Sequence, residues 1–294
     1  MPTVSANGPT AQVGFKLNGQ NSKEFWNAAW EHDATGWRQA EQRPVFTRNL
    51  YVWACNSSDA SDVQVIPRPC VIDKADYDAD LYNGPTEEAV VTAFLQGKSV
   101  LVPLCGDTAA VRYMADHGAT LVVGADLAPE ALRRQRETHL GDVRFVVTSL
   151  PLPGSSGSVT VYEGVKGGCT IRLFEGDFLA LAGVEVFCNA KIDFVYDRAS
   201  MMAMHPSMRS AYVATIAACL TPEAGLMVER PVRDEGDVAG PPFTFSPVQV
   251  LSLYNSATGR SYDVETVLVS RWYGNPDPGN VHYFDFLRVF PKKT

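Results

Sequence analysis

The chain has 294 residues, 46% hydrophobic and 20% charged, an ordinary globular composition with enough length to bury a core without disulfide or metal staples. With 25 Lys and Arg against 33 Asp and Glu, its formal net charge is −8. An acidic chain with no run of five basic residues lacks the footprint of a dedicated nucleic-acid binder. Its longest strongly apolar stretches, such as 99–105, are strand-sized, far short of the roughly 20 residues that span a bilayer. The polar N-terminus shows no basic or apolar region of a secretory signal. The six cysteines (Cys55, Cys70, Cys105, Cys169, Cys188 and Cys219) form no C-x-x-C pair, and several lie in apolar runs. They fit small buried side chains in a reducing, cytoplasmic compartment.

Residues 1–20, rich in Gly, Asn, Pro, Thr and Ser, read as a loose, disordered tail. Asn21 with Glu24 fits a capping box opening a short helix, with Phe25, Trp26, Ala29 and Trp30 on one apolar face. Residues 55–82 hold six Asp against one Arg and one Lys, a net of −4. Their two prolines and scattered polar residues argue against a core helix. They predict an acidic surface insertion, at about 51–85, in an otherwise single domain over 21–294.

From residue 90 the pattern becomes regular. KSVLVPLCG at 98–106 is a continuous apolar run, consistent with a buried parallel strand. Thr108 to His117 carries Val111, Met114 and Ala115 at helical spacing. TLVVGADL at 120–127 is a second buried strand, and Pro129 to Thr138 a helix with Pro in its first turn. Residues 143–168 alternate around Gly/Ser turns and predict a hairpin excursion. CTIRLFEGDF at 169–178 and KIDFVYDRAS at 191–200 are the third and fourth core strands. Pro206 to Leu220 is the clearest helix, with Met208, Tyr212, Thr215/Ile216 and Cys219 in phase and Thr221-Pro222 as its stop. GLMVERPV at 225–232 is a fifth strand. Ser246 with Gln249 forms a capping box for a helix through Tyr254. Tyr262 to Trp272 and His282 to Phe290 predict a C-terminal antiparallel hairpin.

Strands alternating with helices predict an α/β fold with a doubly wound, seven-stranded, Rossmann-like sheet. Five βα units and a terminal hairpin resemble the layout of class I S-adenosylmethionine (SAM) methyltransferases. Ligands of such sheets bind at the carboxyl ends of the strands, near the topological switch point. Four loops qualify. In the first, Gly106 permits a tight turn and a close ligand approach. It stands alone rather than in G-x-G-x-x-G, which counts against a dinucleotide. In the second, Asp126 suits the hydroxyls of a ribose, or caps the next helix. In the third, Gly176 and Asp177 offer a carboxylate to an adenine amino group, with Phe178 beside the ring, or a plain turn. In the fourth, Asp197 and Arg198 form an ion pair, or Arg198 is a fork for an anionic group. Trp26, Trp30 and Trp37 pack in the core or form a helical lid whose aromatic faces attract a methyl sulfonium.

In order, these motifs resemble the thiopurine S-methyltransferase family. The resemblance rests on W-x3-W-x6-aromatic (Trp26, Trp30, Trp37), LVPLCGD at 101–107, VVGADLAPEAL at 122–132, DFVYDRASMMAMHPSMRSAYVATIAACL at 193–220 and GPPFTFS at 240–246. It implies SAM as methyl donor and S-methylation of a thiopurine-like or other small thiol. By position it implies Trp26, Trp30, Trp37, Leu104, Gly106, Asp126, Gly176, Asp177 and Arg198 around SAM. It places Trp37, Arg198 and Phe243 near the acceptor, with Arg198 and Asp197 in the catalytic role, and implies no metal. Departures are Asp107, where the family commonly has Lys, and Arg38, where it has His. Both weaken the transfer of a drug-type substrate. The expected reaction is in-line displacement by a thiolate, which needs proximity more than a strong base. Asp197 then orients Arg198, and His205 is either a proton acceptor or a helix-start residue. The rival readings are a methyltransferase for halide, sulfide or selenium nucleophiles and a non-catalytic SAM-binding protein. The expected partner is a small-molecule thiol, with no nucleic acid and no membrane, for a monomer.

Overall fold

A computed structural model describes residues 23–32, 43–57, 70–73, 82, 84–232, 241–270 and 283–292. In chain order its elements are α1 (Lys23–Glu31), α2 (Arg43–Ser57), β1 (Cys70–Ile72), α3 (Pro85–Leu95), β2 (Ser99–Val102), α4 (Ala110–Asp116), β3 (Leu121–Asp126), α5 (Pro129–Arg134), β4 (Val146–Pro151), β5 (Ser158–Lys166), β6 (Cys169–Glu175), α6 (Glu185–Cys188), β7 (Ile192–Asp197), α7 (Arg209–Ala217), β8 (Leu220–Val232), α8 (Pro247–Thr258), β9 (Tyr262–Ser270) and β10 (Tyr283–Pro291). The expected loose tail at 1–20 and Asn21 of the first capping box lie outside the described residues.

The strands form one sheet in the order β1-β9-β10-β8-β7-β2-β3-β6-β5-β4. Strand β2 is parallel to β3 on one side and β7 on the other. From it the chain winds outward both ways, to β6 and to β8. The switch point therefore sits at β2, where the rule for open α/β sheets puts a ligand. β2, β3 and β7 are buried along nearly their whole length, because helices cover both faces of a parallel sheet; hence their unbroken apolar runs. β10 runs antiparallel to both β8 and β9, as the C-terminal hairpin requires.

The expected seven strands are β9-β10-β8-β7-β2-β3-β6, and the sheet extends past them at both edges. The hairpin at 143–168 does not stand away from the sheet. Its second strand buries Val159 and Val161 and pairs antiparallel with β6, from Thr160 opposite Glu175 to Lys166 opposite Cys169. At the other edge β1 pairs parallel with β9.

The bounds of the acidic insertion narrow: residues 51–57 belong to α2, a core helix, and 70–72 form the edge strand. The remaining residues of the insertion lie largely outside the described ones. Helix α2 carries no amphipathic signal because it is buried nearly all round, from Phe46 to Ala54. Its Trp53 ring stands 4.8 Å from both Phe94 and Phe194. It sits on Gly225 of β8 so closely that a Cβ there would lie 2.8 Å from the indole.

Two boundaries shift. The helix expected over 206–220 is a 3-10 turn (Pro206–Met208) followed by α7, and Leu220 already begins β8. Thr221-Pro222 lies inside that strand. The β7 register jumps there, from Ile192 opposite Leu220 to Phe194 opposite Gly225. Such an irregularity tolerates a residue without an N–H. The Ser246 capping box is present in both directions, with Gln249 N–H donating to Ser246 Oγ at 3.1 Å and Ser246 N–H to Gln249 Oε1 at 2.7 Å. Helix α8 then runs past Tyr254 to Thr258.

Trp53→Ala is expected to lower stability by about 3–5 kcal/mol, the range for a buried aromatic. Gly225→Ala is expected to lower it by about 1–3 kcal/mol through overpacking. Urea unfolding measures both, and a Trp53→Ala loss under about 1 kcal/mol would place α2 outside the core.

Candidate active site

The four loops expected to carry function converge at the carboxyl ends of β2, β3, β6 and β7. The β2 loop is fastened to the end of β3. Cys105 N–H donates to Ala125 O at 2.8 Å, and Gly106 N–H to Asp126 Oδ2 at 2.8 Å. The other Asp126 oxygen accepts from Ala128 N–H at 2.9 Å. Leu104 and Gly106 both adopt left-handed backbone, at φ 44° and 56°. That conformation suits glycine and is uncommon for leucine. Asp126 thus anchors both the β2 loop and the backbone just ahead of α5. Burial nevertheless pushes its carboxyl up from 3.8 to about 6, against the N–H groups of Ala128, Gly106 and Leu127 that favour its charge. It is a desolvated acceptor whose ionised form gains from further hydroxyl donors.

Helix α1 lies across this loop. Trp30 is 2% exposed and packs on Ala128 and Ala131, with Trp26 partly buried beside it. Its indole carbons reach 2.8 Å from where a Cβ on Gly106 would be. Arg134 Nη2 donates to the Trp30 carbonyl at 3.0 Å and fixes the helix end to α5. Trp37 and Arg38 lie outside the described residues.

At the third loop, Gly176 N–H donates to Asp126 O at 3.0 Å, so this loop touches the same anchor. Asp177 is exposed, and its Oδ1 caps the following turn by accepting from Leu179 N–H at 2.9 Å. Phe178 is buried, with its ring against Phe187 and Tyr212.

At the fourth loop, Asp197 is buried and accepts from Met201 N–H at 2.9 Å and Tyr212 OH at 2.8 Å. Burial pushes its carboxyl up to about 7 in spite of both donors. The Arg198 guanidinium turns to Glu229 on β8, with Nε 3.8 Å from Oε1. Ser200 Oγ donates to Pro103 O at 2.5 Å and joins this turn to the β2 loop. Phe243 is held nearby: its N–H donates to Met202 O at 2.6 Å, and Arg209 Nη2 donates to its carbonyl at 3.3 Å. His205 packs edge-on against the Phe243 ring, 5.6 Å between centroids. Its Nδ1 lies 2.7 Å from Ser207 Oγ and accepts from Ser207 N–H at 3.3 Å, the geometry of a helix-start cap.

The fold therefore brings together Trp30, Leu104, Gly106, Asp126, Gly176, Asp197, Arg198 and Phe243, with Asp177 on the rim. Glu229 and Ser200 also belong to this cluster, and sequence reading passed over both. The strand-end rule that picks out Arg198 equally picks out Glu229, which ends the apolar run of β8. No group of three or more potential metal ligands occurs among the described residues. The arrangement offers a buried acceptor for hydroxyl groups, an aromatic wall that favours a cation, and a guanidinium for an anion.

Gly106→Ala is expected to lower stability by about 1–3 kcal/mol, because the added methyl meets Trp30 in a backbone conformation unfavourable to alanine. The displaced indole is expected to shift tryptophan fluorescence to the red. A variant with native stability and spectrum would contradict the packing of α1 on this loop.

The sequence profile of the thiopurine S-methyltransferase family matches residues 73–275. A thiopurine S-methyltransferase of Nitrosospira multiformis is 25% identical over 236 residues, 80% of this chain and 82% of that protein. One of Azotobacter vinelandii is 28% identical over 231 residues, 79% of this chain and 81% of that protein. A crystal structure of magnesium protoporphyrin IX methyltransferase from Synechocystis PCC 6803 with bound S-adenosylhomocysteine overlays with a TM-score of 0.48 at 13% identity, over 92% of this chain and 99% of that one. With the profile covering more than half of the chain, and the strand order wound about β2, this protein belongs to the thiopurine S-methyltransferase family of SAM-dependent methyltransferases.

Proposed function

We propose that the chain methylates the sulfur of a small thiol at this loop cluster, with Asp126, Gly106 and Trp30 forming the SAM side and Arg198 and Phe243 the acceptor side. The observation that carries the reading is the buried Asp126 carboxylate bonded to the Gly106 N–H beneath the Trp30 indole. SAM, when bound, supplies a methyl group already activated by its positively charged sulfur. Asp126 would hold ribose hydroxyls, and its desolvation suits that task. Trp30 would offer its face to the cation and keep water out. Gly176 and Asp177 would close the adenine end, with Trp26 and Trp37 adding to the lid. Arg198 would favour the thiolate over the thiol and steer it. Holding sulfur and methyl in line supplies much of the rate without a strong base. Asp197, whose oxygens are taken by Met201 and Tyr212, would secure the turn that carries Arg198. His205 would serve as a cap.

In this reading the enzyme works as a single domain and a monomer on a free small thiol in the cytoplasm. Among the described residues no helix is long and apolar enough to cross a membrane.

Asp126→Ala is expected to weaken SAM binding by about 1–3 kcal/mol in titration calorimetry, the worth of charge-assisted hydrogen bonds. Unchanged affinity would remove Asp126 from the SAM side. In the native protein, SAM affinity is expected to fall as pH drops through about 6, because the ligand's hydroxyls prefer the ionised carboxylate. Without SAM the sign reverses. The folded state holds this proton more tightly than the unfolded chain, so the contribution of Asp126 to stability is full below pH 3.8 and is lost as pH rises through about 6. Arg198→Ala is expected to lower turnover of a thiol acceptor while leaving SAM affinity nearly native. Native turnover would take Arg198 out of the acceptor side.

A further inference from the structure

Strand pairing puts Val228 of β8 opposite Asp197, the last residue of β7, so Glu229 of β8 lies beside the start of the turn that carries Arg198. Glu229 is 4% exposed. One of its oxygens lies 3.8 Å from Arg198 Nε, and the other accepts from Ala199 N–H at 3.2 Å. Ala199 sits in left-handed backbone at φ 60°, which an alanine adopts only when held. One carboxylate therefore grips both the guanidinium and the strained peptide that aims it. The same turn is also held by Asp197, which accepts from Met201 N–H and Tyr212 OH, and by Ser200 Oγ, which donates to Pro103 O and, at 3.1 Å, to the Arg198 carbonyl.

Helix α2, which lies ahead of the matched family region at 73–275, contributes a further cation, Arg48. Arg48 is buried. Its Nε and Nη2 donate to Asn49 Oδ1 at 3.3 Å, and Asn49 Nδ2 donates to Tyr196 OH at 3.4 Å, two residues before Arg198. Burial raises the Glu229 carboxyl, and the charges of Arg198 and Arg48 oppose that rise.

We propose that Glu229 is a positioning residue for methyl transfer: it holds the Arg198 guanidinium and the Arg198–Ala199 peptide in one orientation toward the acceptor sulfur. The proposal rests on Arg198 acting at the acceptor side, as set out above. A purely structural ion pair would affect folding and SAM binding in step with activity. A positioning role acts on the acceptor alone.

Glu229→Gln keeps the shape and an oxygen for Ala199 N–H but removes the charge. Full-length Glu229→Gln, Glu229→Asp and Arg198→Ala would be compared with the native chain, using SAM and a panel of small thiols. Thermal unfolding and SAM calorimetry report folding. Glu229→Gln is expected to bind SAM within about twofold of native while kcat/KM for the thiol falls about 10- to 100-fold, the scale of a misplaced reacting group. The rising limb of the pH–rate profile is expected to move to higher pH, because a thiolate loses its oriented cation. Glu229→Asp is expected to restore part of the loss. Native kcat/KM and pH limb in Glu229→Gln, with Arg198→Ala impaired, would overturn the positioning role and leave the reading of Arg198 standing. A parallel loss of thermal stability and SAM affinity in Glu229→Gln, with unchanged thiol KM and pH limb, would overturn it as well. A native Arg198→Ala would instead strike the reading on which the proposal rests.

Discussion

The hydrogen bond from Gly106 N–H to the Asp126 carboxylate is the constraint on which the rest of the site depends. It ties the loop after β2 to the end of β3 across the switch point of the sheet. Gly106 has to lack a side chain for this, because Trp30 occupies the space where one would go. The same carboxylate accepts from Ala128 N–H just ahead of α5, and Ala128 with Ala131 and Arg134 of α5 holds α1. A single buried carboxylate thus organises a loop, the approach to a helix and the helix above them. Its desolvation is the physical cost of that role, and the same desolvation fits it to receive hydroxyl donors.

A comparable arrangement governs the other half of the cluster. The turn after β7 is held from below by Asp197 and Tyr212, from the side by Glu229, and from the β2 loop by Ser200. Arg209 and Met202 bring Phe243 in against it. The two halves meet where Ser200 donates to Pro103. A guanidinium on a flexible loop would lose orientation entropy each time it met a ligand. Fixed at its root, it is preorganised.

The parallel strands and the switch-point loops were legible in the sequence because burial on both faces leaves unbroken apolar runs, and because Gly106, Asp126 and Arg198 each follow such a run directly. The capping box at Ser246 was legible for a local reason, since its two hydrogen bonds lie within four residues. What escaped has an equally physical cause. Helix α2 is buried on all sides, so its sequence has no polar face to betray its period. Its Arg48 looks like a surface residue until the fold buries it against the Asn49 amide. The pairing of β1 with β9 depends on contacts between separated segments, which alternation alone does not specify, whereas β5 and β6 are joined locally across Gly167-Gly168, a hairpin signal that the reading of 169–178 as a separate core strand passed over. Phe178, for which a place beside a ligand ring was one of two alternatives, packs against Phe187 and Tyr212.

In the proposed reaction a methyl donor held at Asp126 meets a thiolate acceptor held at Arg198. The most direct measurement is mass spectrometry of small thiols incubated with the protein and SAM carrying a deuterated methyl group. The account expects the label on the sulfur of the acceptor, with S-adenosylhomocysteine formed in equal amount. SAM bound with no thiol labelled, or label carried only on nitrogen, oxygen or a halide, would contradict it.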